Sequence, residues 1–196
     1  VPAIVWPWFP GTQGGHALAD VLFGDVNPSA KLPITFPRSV GQIPIYYNHL
    51  PTGRPEDPEL KYTSKYIDSP NDPLYPFGHG LSYTTFEYSD LRVTGGESGP
   101  ITVSAAIRNG GGRAGDEIVQ LYINDPVASV SRPVRELKGF QRVTLAPGQS
   151  RRVEFTLRKD DLEFWHEGRW VFEPGTFRVW IAPSSVSGLE GKFELR

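Results

Sequence analysis

Cysteine and methionine are both absent from the 196 residues of this chain. Without cysteine there is no disulfide, no thiol nucleophile and no zinc–thiolate site, so stability rests on packing and the redox compartment is left open. Charge is sparse as well: Asp, Glu, Lys and Arg make up 21% of the chain, with a formal net charge of −2 and a pI near 6.1. The basic residues lie scattered among acidic ones rather than massed in a stripe, which argues against a nucleic-acid partner. Apolar runs fall well short of the roughly 18 residues that a membrane-spanning helix needs, so no membrane span is expected. Only four histidines occur, His16, His49, His79 and His166, with no HxH or HxxxH spacing. No metal site and no cofactor are therefore expected. A Gly-x-Ser-x-Gly elbow is missing too, which leaves a serine-hydrolase mechanism without support.

Glycine and proline are abundant, 21 and 19 residues, and aromatics reach 12%. That mixture suits many short strands joined by turns and extended connections, so the expected class is mainly β. The opening run Val1-Pro-Ala-Ile-Val-Trp-Pro-Trp-Phe9 is apolar enough to read as a buried strand. Such a strand needs neighbours on both faces that the following residues do not supply, so the chain reads as the C-terminal piece of a larger protein. An export signal, if the parent is exported, is then expected upstream. Ala17, Leu18, Val21 and Leu22 stand at helical spacing, predicting a helix over 14–24 with Gly24 as its stop. Lys31 to Phe36 reads as a short strand with proline at its edge. Strand, helix and strand, over 1–36, look like the last α/β unit of an open sheet whose other strands are missing.

From 37 to 85 prolines recur amid Tyr, Asn and Asp, predicting a long ordered Pro-rich linker anchored by Tyr46, Tyr47, Tyr62, Tyr66 and Tyr75. The stretch from Ile45 to Tyr75 is a candidate for reaching a neighbouring domain or protomer. Beyond Phe86 the alternation becomes period two, at Thr102–Ile107, Glu117–Ile123, Arg152–Leu157 and Phe177–Ile181. Turn-rich separators such as Asn109-Gly-Gly-Gly112 complete the pattern of a seven-strand, fibronectin type III-like sandwich over 86–196.

Candidate chemistry is thin. Gly11-Thr-Gln-Gly-Gly15 precedes the helix but lacks a phosphate-loop ending, so a tight turn is the simpler reading. A sugar-facing loop remains an alternative, with Trp6, Trp8, Gln13 and His16 facing the ligand. Asp160 or Asp161 reads as an N-cap for one helical turn rather than as a catalytic carboxylate. Trp180 is expected half-buried in its strand, and Trp165 and Trp170 flank a turn, where they could seal the sandwich against a neighbour or stack on sugar. Ile4, Val5 and the apolar helix face are expected to need cover.

Several longer stretches carry a resemblance that composition does not. They are Trp8–Gly15 (WFPGTQGG), Ala19–Pro33 (ADVLFGDVNPSAKLP), Phe36–Pro44 (FPRSVGQIP), Leu74–Phe86 (LYPFGHGLSYTTF) and Ser131–Phe140 (SRPVRELKGF). In this order they resemble the C-terminal part of glycoside hydrolase family 3, close to its bacterial periplasmic β-glucosidases. The resemblance implies a parent with a TIM-like barrel, an α/β sandwich and a fibronectin-like domain. It also implies a retaining mechanism on terminal non-reducing β-D-glucosyl units, through an Asp nucleophile on the barrel and a second carboxyl. No residue here matches either carboxylate, so this segment is expected to be inactive alone and to shape the site. Trp8, Gln13 and His16 are the substrate-binding candidates, with Gln13 standing where many relatives carry Glu and His79 where many carry Tyr. Implied partners are the missing barrel and the rest of the α/β domain, a β-glucoside and a possible homodimer, in a periplasmic or secreted setting. A β-xylosidase of the same family and a stand-alone carbohydrate-binding or adhesive module stay open as alternatives.

Overall fold

The computed structural model describes residues 3–57, 59–96 and 99–196. Its sandwich is built from a three-stranded sheet in the order β1-β2-β5 and a four-stranded sheet in the order β4-β3-β8-β9. The strands are β1 Phe86–Thr94, β2 Ile101–Asn109, β3 Gly115–Asn124, β4 Glu136–Leu145, β5 Ser150–Leu157, β8 Gly175–Ala182 and β9 Leu189–Leu195. A separate hairpin, β6 Phe164–His166 with β7 Arg169–Val171, interrupts the path from β5 to β8. All pairings are antiparallel.

Period-two alternation places the core between the sheets. Val103, Ala105 and Ile107 of β2, Val153, Phe155 and Leu157 of β5, and Phe177, Val179 and Ile181 of β8 pack together. Phe177 stacks on Phe193 of β9 with ring centroids 5.3 Å apart. The turn at Asn109 is locked by its side chain, which donates to the Arg113 and Leu145 carbonyls and accepts from the Thr84 hydroxyl and the Gly111 amide. Each of these satisfies a polar group that burial would otherwise strand.

Outward positions of the four-stranded sheet are not left to water. Tyr122, Trp180 and Ala182 are buried beneath Tyr47, Phe77 and Leu137, so the irregular segment lies along this face. Tyr47 stacks on Phe77 at 4.3 Å and meets Tyr122 edge-on at 5.9 Å. Backbone bonds rivet it down: Val134 N–H donates to the His49 carbonyl at 2.9 Å and Ser185 N–H to the Phe77 carbonyl at 3.0 Å. Trp180, expected half-buried, is therefore 4% exposed. Of the expected tyrosine anchors Tyr47 packs in this way and Tyr75 instead meets Phe36 edge-on, while Tyr46, Tyr62 and Tyr66 are 53%, 76% and 43% exposed.

Helix α1, Gly14–Phe23, forms where the spacing predicts it. Gly24 ends it at φ +85°, the left-handed conformation that glycine adopts without a Cβ clash. Two expected strands do not form. Residues 3–9 are irregular, and 31–36 makes a single bridge, Phe36 to Tyr75; Val1 and Pro2 lie outside the described residues. A strand needs a ladder partner, and the prolines at 7, 10, 33 and 37 withhold donors from any such ladder. Helix α2, Lys159–Leu162, also differs from expectation, because its N-cap is Arg158. Asp161 sits at the third helical position and accepts the Arg158 N–H at 2.8 Å, which satisfies the cap from inside the helix.

Candidate functional site

The N-terminal segment brings its aromatics together without a sheet. Trp6 and Trp8 meet edge-on at 5.9 Å, and each also meets Phe36, at 5.6 and 6.4 Å. Phe36 continues to Tyr75 at 6.3 Å, and Tyr75 stacks on His79 at 5.3 Å. Trp8 holds a φ of +53°, a left-handed conformation that a bulky side chain rarely adopts. Trp6, Trp8 and Phe9 are nevertheless 54%, 48% and 99% exposed, beside Ile4, Val5, Leu22 and Phe23. All seven are apolar side chains open to solvent.

The glycine-rich turn before α1 is shaped by contact. Gly14 donates to the Gly11 carbonyl at 3.2 Å, and a Cβ on Gly14 would come within 2.5 Å of the Pro10 ring. Gln13 occupies the N-cap, yet its side chain makes no capping hydrogen bond. Gln13 and His16 are both exposed. The structure thus places Trp8 in the aromatic cluster, and Gln13 and His16 at the free start of α1. No hydrogen bond links the three among the described residues.

A second constellation, which the sequence did not flag, joins the N-terminal segment to the sandwich. Lys31 Nζ lies 3.0 Å from Glu117 Oε1, which also accepts the Tyr88 hydroxyl at 2.7 Å. Glu117 is 4% exposed and stands on the core-facing parity of β3. Burial, followed by the Glu117 charge, holds the Tyr88 phenol far above its ordinary pKa, so it serves as a hydrogen donor throughout the accessible pH range. Asn27 ties the same junction, donating to the Ala114 carbonyl at 2.9 Å and accepting from Ser82 Oγ and the Tyr83 amide.

His79 sits between the two constellations. Burial, and then the neighbouring Lys31 charge, push its pKa below 6.5, so the ring is neutral at pH 7. A histidine depressed in the fold stabilises it fully above its unfolded pKa, and that stability is lost as pH falls from about 6.5 towards the lower folded value. The melting temperature is expected to drop over that window, and His79→Gln is expected to flatten the drop. An unchanged pH profile in the variant would assign the effect elsewhere.

Several carboxylates are held by cations. Arg178 grips Glu190 through two bonds of 2.9 and 3.0 Å and holds its carboxyl below the usual range. Asp125 is buried without such a pair among the described residues: it is 6% exposed, burial raises its pKa, and Val127 N–H donates to it at 3.3 Å. The neighbouring Glu173 and Glu136 charges add to that rise and the Arg132 charge opposes it, and no cluster of three His, Asp or Glu side chains able to hold a metal exists among the described residues. No described helix is long and apolar enough to cross a membrane. Trp165 and Trp170 pair across the β6–β7 hairpin at 5.5 Å, with 61% and 63% of their surface exposed.

Residues 1–83 match the glycosyl hydrolase family 3 C-terminal domain, and residues 117–185 match the fibronectin type III-like domain. The chain carries the C-terminal domain of glycoside hydrolase family 3 followed by a fibronectin type III-like domain. It is 53% identical, over 98% of its length, to the periplasmic beta-glucosidase of Salmonella typhimurium, and spans 26% of that protein. A beta-xylosidase from Formosa agariphila is 42% identical over 94% of the chain, which spans 25% of it. The crystal structure of a beta-glucosidase from Listeria innocua superposes with a TM-score of 0.89 at 44% identity, covering 96% of this chain and 27% of its own. The chain thus spans about a quarter of the length of the curated relatives it matches, and those relatives contain further domains.

Proposed function

We propose that this chain is the C-terminal portion of a retaining, exo-acting β-glucosidase that removes terminal non-reducing β-D-glucosyl units from oligosaccharides. The observation that carries this reading is the identity to the Salmonella typhimurium beta-glucosidase, sustained over nearly the whole chain. In this reading residues 1–36 close an α/β sandwich domain, 37–85 link it to the fibronectin-like sandwich at 86–196, and the catalytic carboxylates lie in the domains the chain does not span. The segment alone is inactive and shapes the site. Its apolar face around Trp6, Trp8, Phe9 and Phe23 is where the barrel and the rest of the α/β domain would seat. Trp8, Gln13 and His16 are the residues proposed to approach the sugar.

The full-length protein is expected to cleave an aryl β-D-glucoside, while the isolated 196-residue chain releases no aryl product. Failure of the full-length protein on the glucoside would end the reading. A β-xylosidase is the second reading, supported by the Formosa agariphila relative. It would be preferred if the aryl β-D-xyloside were the better substrate by kcat/KM. A periplasmic or secreted location and homodimerisation belong to the same proposal.

A further inference from the structure

Between the irregular segment and the outer face of the four-stranded sheet lies a cleft of about 400 Å³, lined from both sides. Tyr46 and Asp72 line it from the segment, and Arg135, Trp180 and Ser185 from the sandwich, with Thr35 at its margin. Its size falls within the range of small-molecule sites.

We propose that this cleft binds one neutral pyranose ring. Among the described residues three buried side-chain polar atoms have no hydrogen-bond partner, and two of them, Thr35 Oγ1 and Ser185 Oγ, belong to this lining. Thr35 and Ser185 are 8% and 5% exposed. Buried hydroxyls in native proteins are paired as a rule, so two unpaired ones in one lining point to a missing partner. The charged groups show what kind of ligand this is. Arg178 is matched by Glu190, and the other two charged side chains of the lining, Arg135 and Asp72, are opposite in sign. An inorganic anion would gain Arg135 but face Asp72. An apolar molecule would offer no hydrogen bond to the guanidinium, the carboxylate or either hydroxyl.

A polyhydroxylated ring uses all four, because each of its hydroxyls both donates and accepts. Arg135 supplies donors, its guanidinium lying over the Trp180 ring at 4.3 Å with, among the described residues, only the Ser187 carbonyl, 3.0 Å away, as a hydrogen-bond partner. Asp72 supplies acceptors, and Thr35 and Ser185 supply either. Arg135 and Arg178 already lie over Trp180, so the stacking surface for the sugar's C–H face is the half-exposed Tyr46 ring. The cleft brings no second carboxylate to Asp72 and so retains a sugar without cleaving it. This inference does not depend on the proposed hydrolysis.

The test is a titration of the ¹⁵N-labelled chain with methyl β-D-glucopyranoside and D-xylose, and in parallel with inorganic phosphate, read by chemical shifts. A saturable shift of the Trp180 indole and the Ser185 amide with a neutral sugar is expected, with millimolar affinity. Tyr46→Ala and Ser185→Ala should each weaken it about tenfold. Tyr46 is half-exposed, so its truncation leaves the fold intact and the spectrum dispersed. No saturable shift with either sugar would overturn the proposal, as would a response to phosphate alone or a response that leaves Trp180 and Ser185 unmoved. Because the measurement reads binding, its failure is distinct from failure of the aryl-glycoside assay.

Discussion

Glu117→Ala is expected to destabilise the chain by about 3–5 kcal/mol, the range found when one partner of a buried ion pair is removed. The side chains of Lys31 and Glu117 are 12% and 5% exposed, so neither charge is well solvated. Removing the carboxylate leaves the Lys31 ammonium uncompensated and the Tyr88 hydroxyl without its acceptor. The loss is charged to the junction between the N-terminal segment and the sandwich, because the two residues of the pair are 86 positions apart. Urea unfolding measures it as a fall in midpoint at unchanged slope. Lys31→Met combined with Glu117→Leu removes both charges together, and should cost well under the sum of the two single changes. A single-variant loss below about 1 kcal/mol would mean that water already reaches the pair.

Tyr122→Ala is expected to cost a similar amount, about 3–5 kcal/mol, through the cavity left by a fully buried aromatic ring. Its particular consequence is release of the irregular segment. Tyr122 is the surface on which Tyr47 sits edge-on, and Tyr47 in turn stacks on Phe77. The Tyr122 hydroxyl also donates to Gln120 Oε1, and Gln120 Nε2 donates to the Gly78 carbonyl at 3.2 Å and the Pro183 carbonyl at 2.8 Å. Emptying the site removes both the apolar seat and the group that orients Gln120. Limited proteolysis should therefore cut between residues 44 and 76 before the sandwich unfolds, and faster than in the unaltered chain. Tyr122→Phe keeps the seat and loses the hydroxyl bond, for about 1 kcal/mol, with little change in cleavage. Equal cleavage rates in Tyr122→Ala and the unaltered chain would show that the segment is held by its backbone bonds alone.

What the N-terminal half does to the sandwich explains where the sequence reading succeeded and where it failed. β2, β5 and β8 were legible because their inward residues, such as Val103, Phe155 and Val179, alternate with outward ones over one face of a buried core. Helix α1 was legible because its apolar spacing and its terminating Gly24 are local signals. Trp180 was misjudged because period two predicts one buried face per strand. Its own face is the outward one, and it is buried by Tyr47 and Phe77, over a hundred residues upstream. The run at residues 3–9 was misjudged for the converse reason: apolar content marks a segment for burial but does not supply the hydrogen-bonding partner that makes it a strand.

The sequence by itself determined the class of the protein, four of its sandwich strands, its helix and its family resemblance, since these rest on short-range periodicity and on motifs contiguous in the chain. Only the tertiary structure decided the Lys31–Glu117–Tyr88 junction, the burial of Trp180 and the cleft between Tyr46 and Ser185. Each depends on which distant segments meet, and a one-dimensional pattern carries no record of contact between residues that loop closure alone brings together.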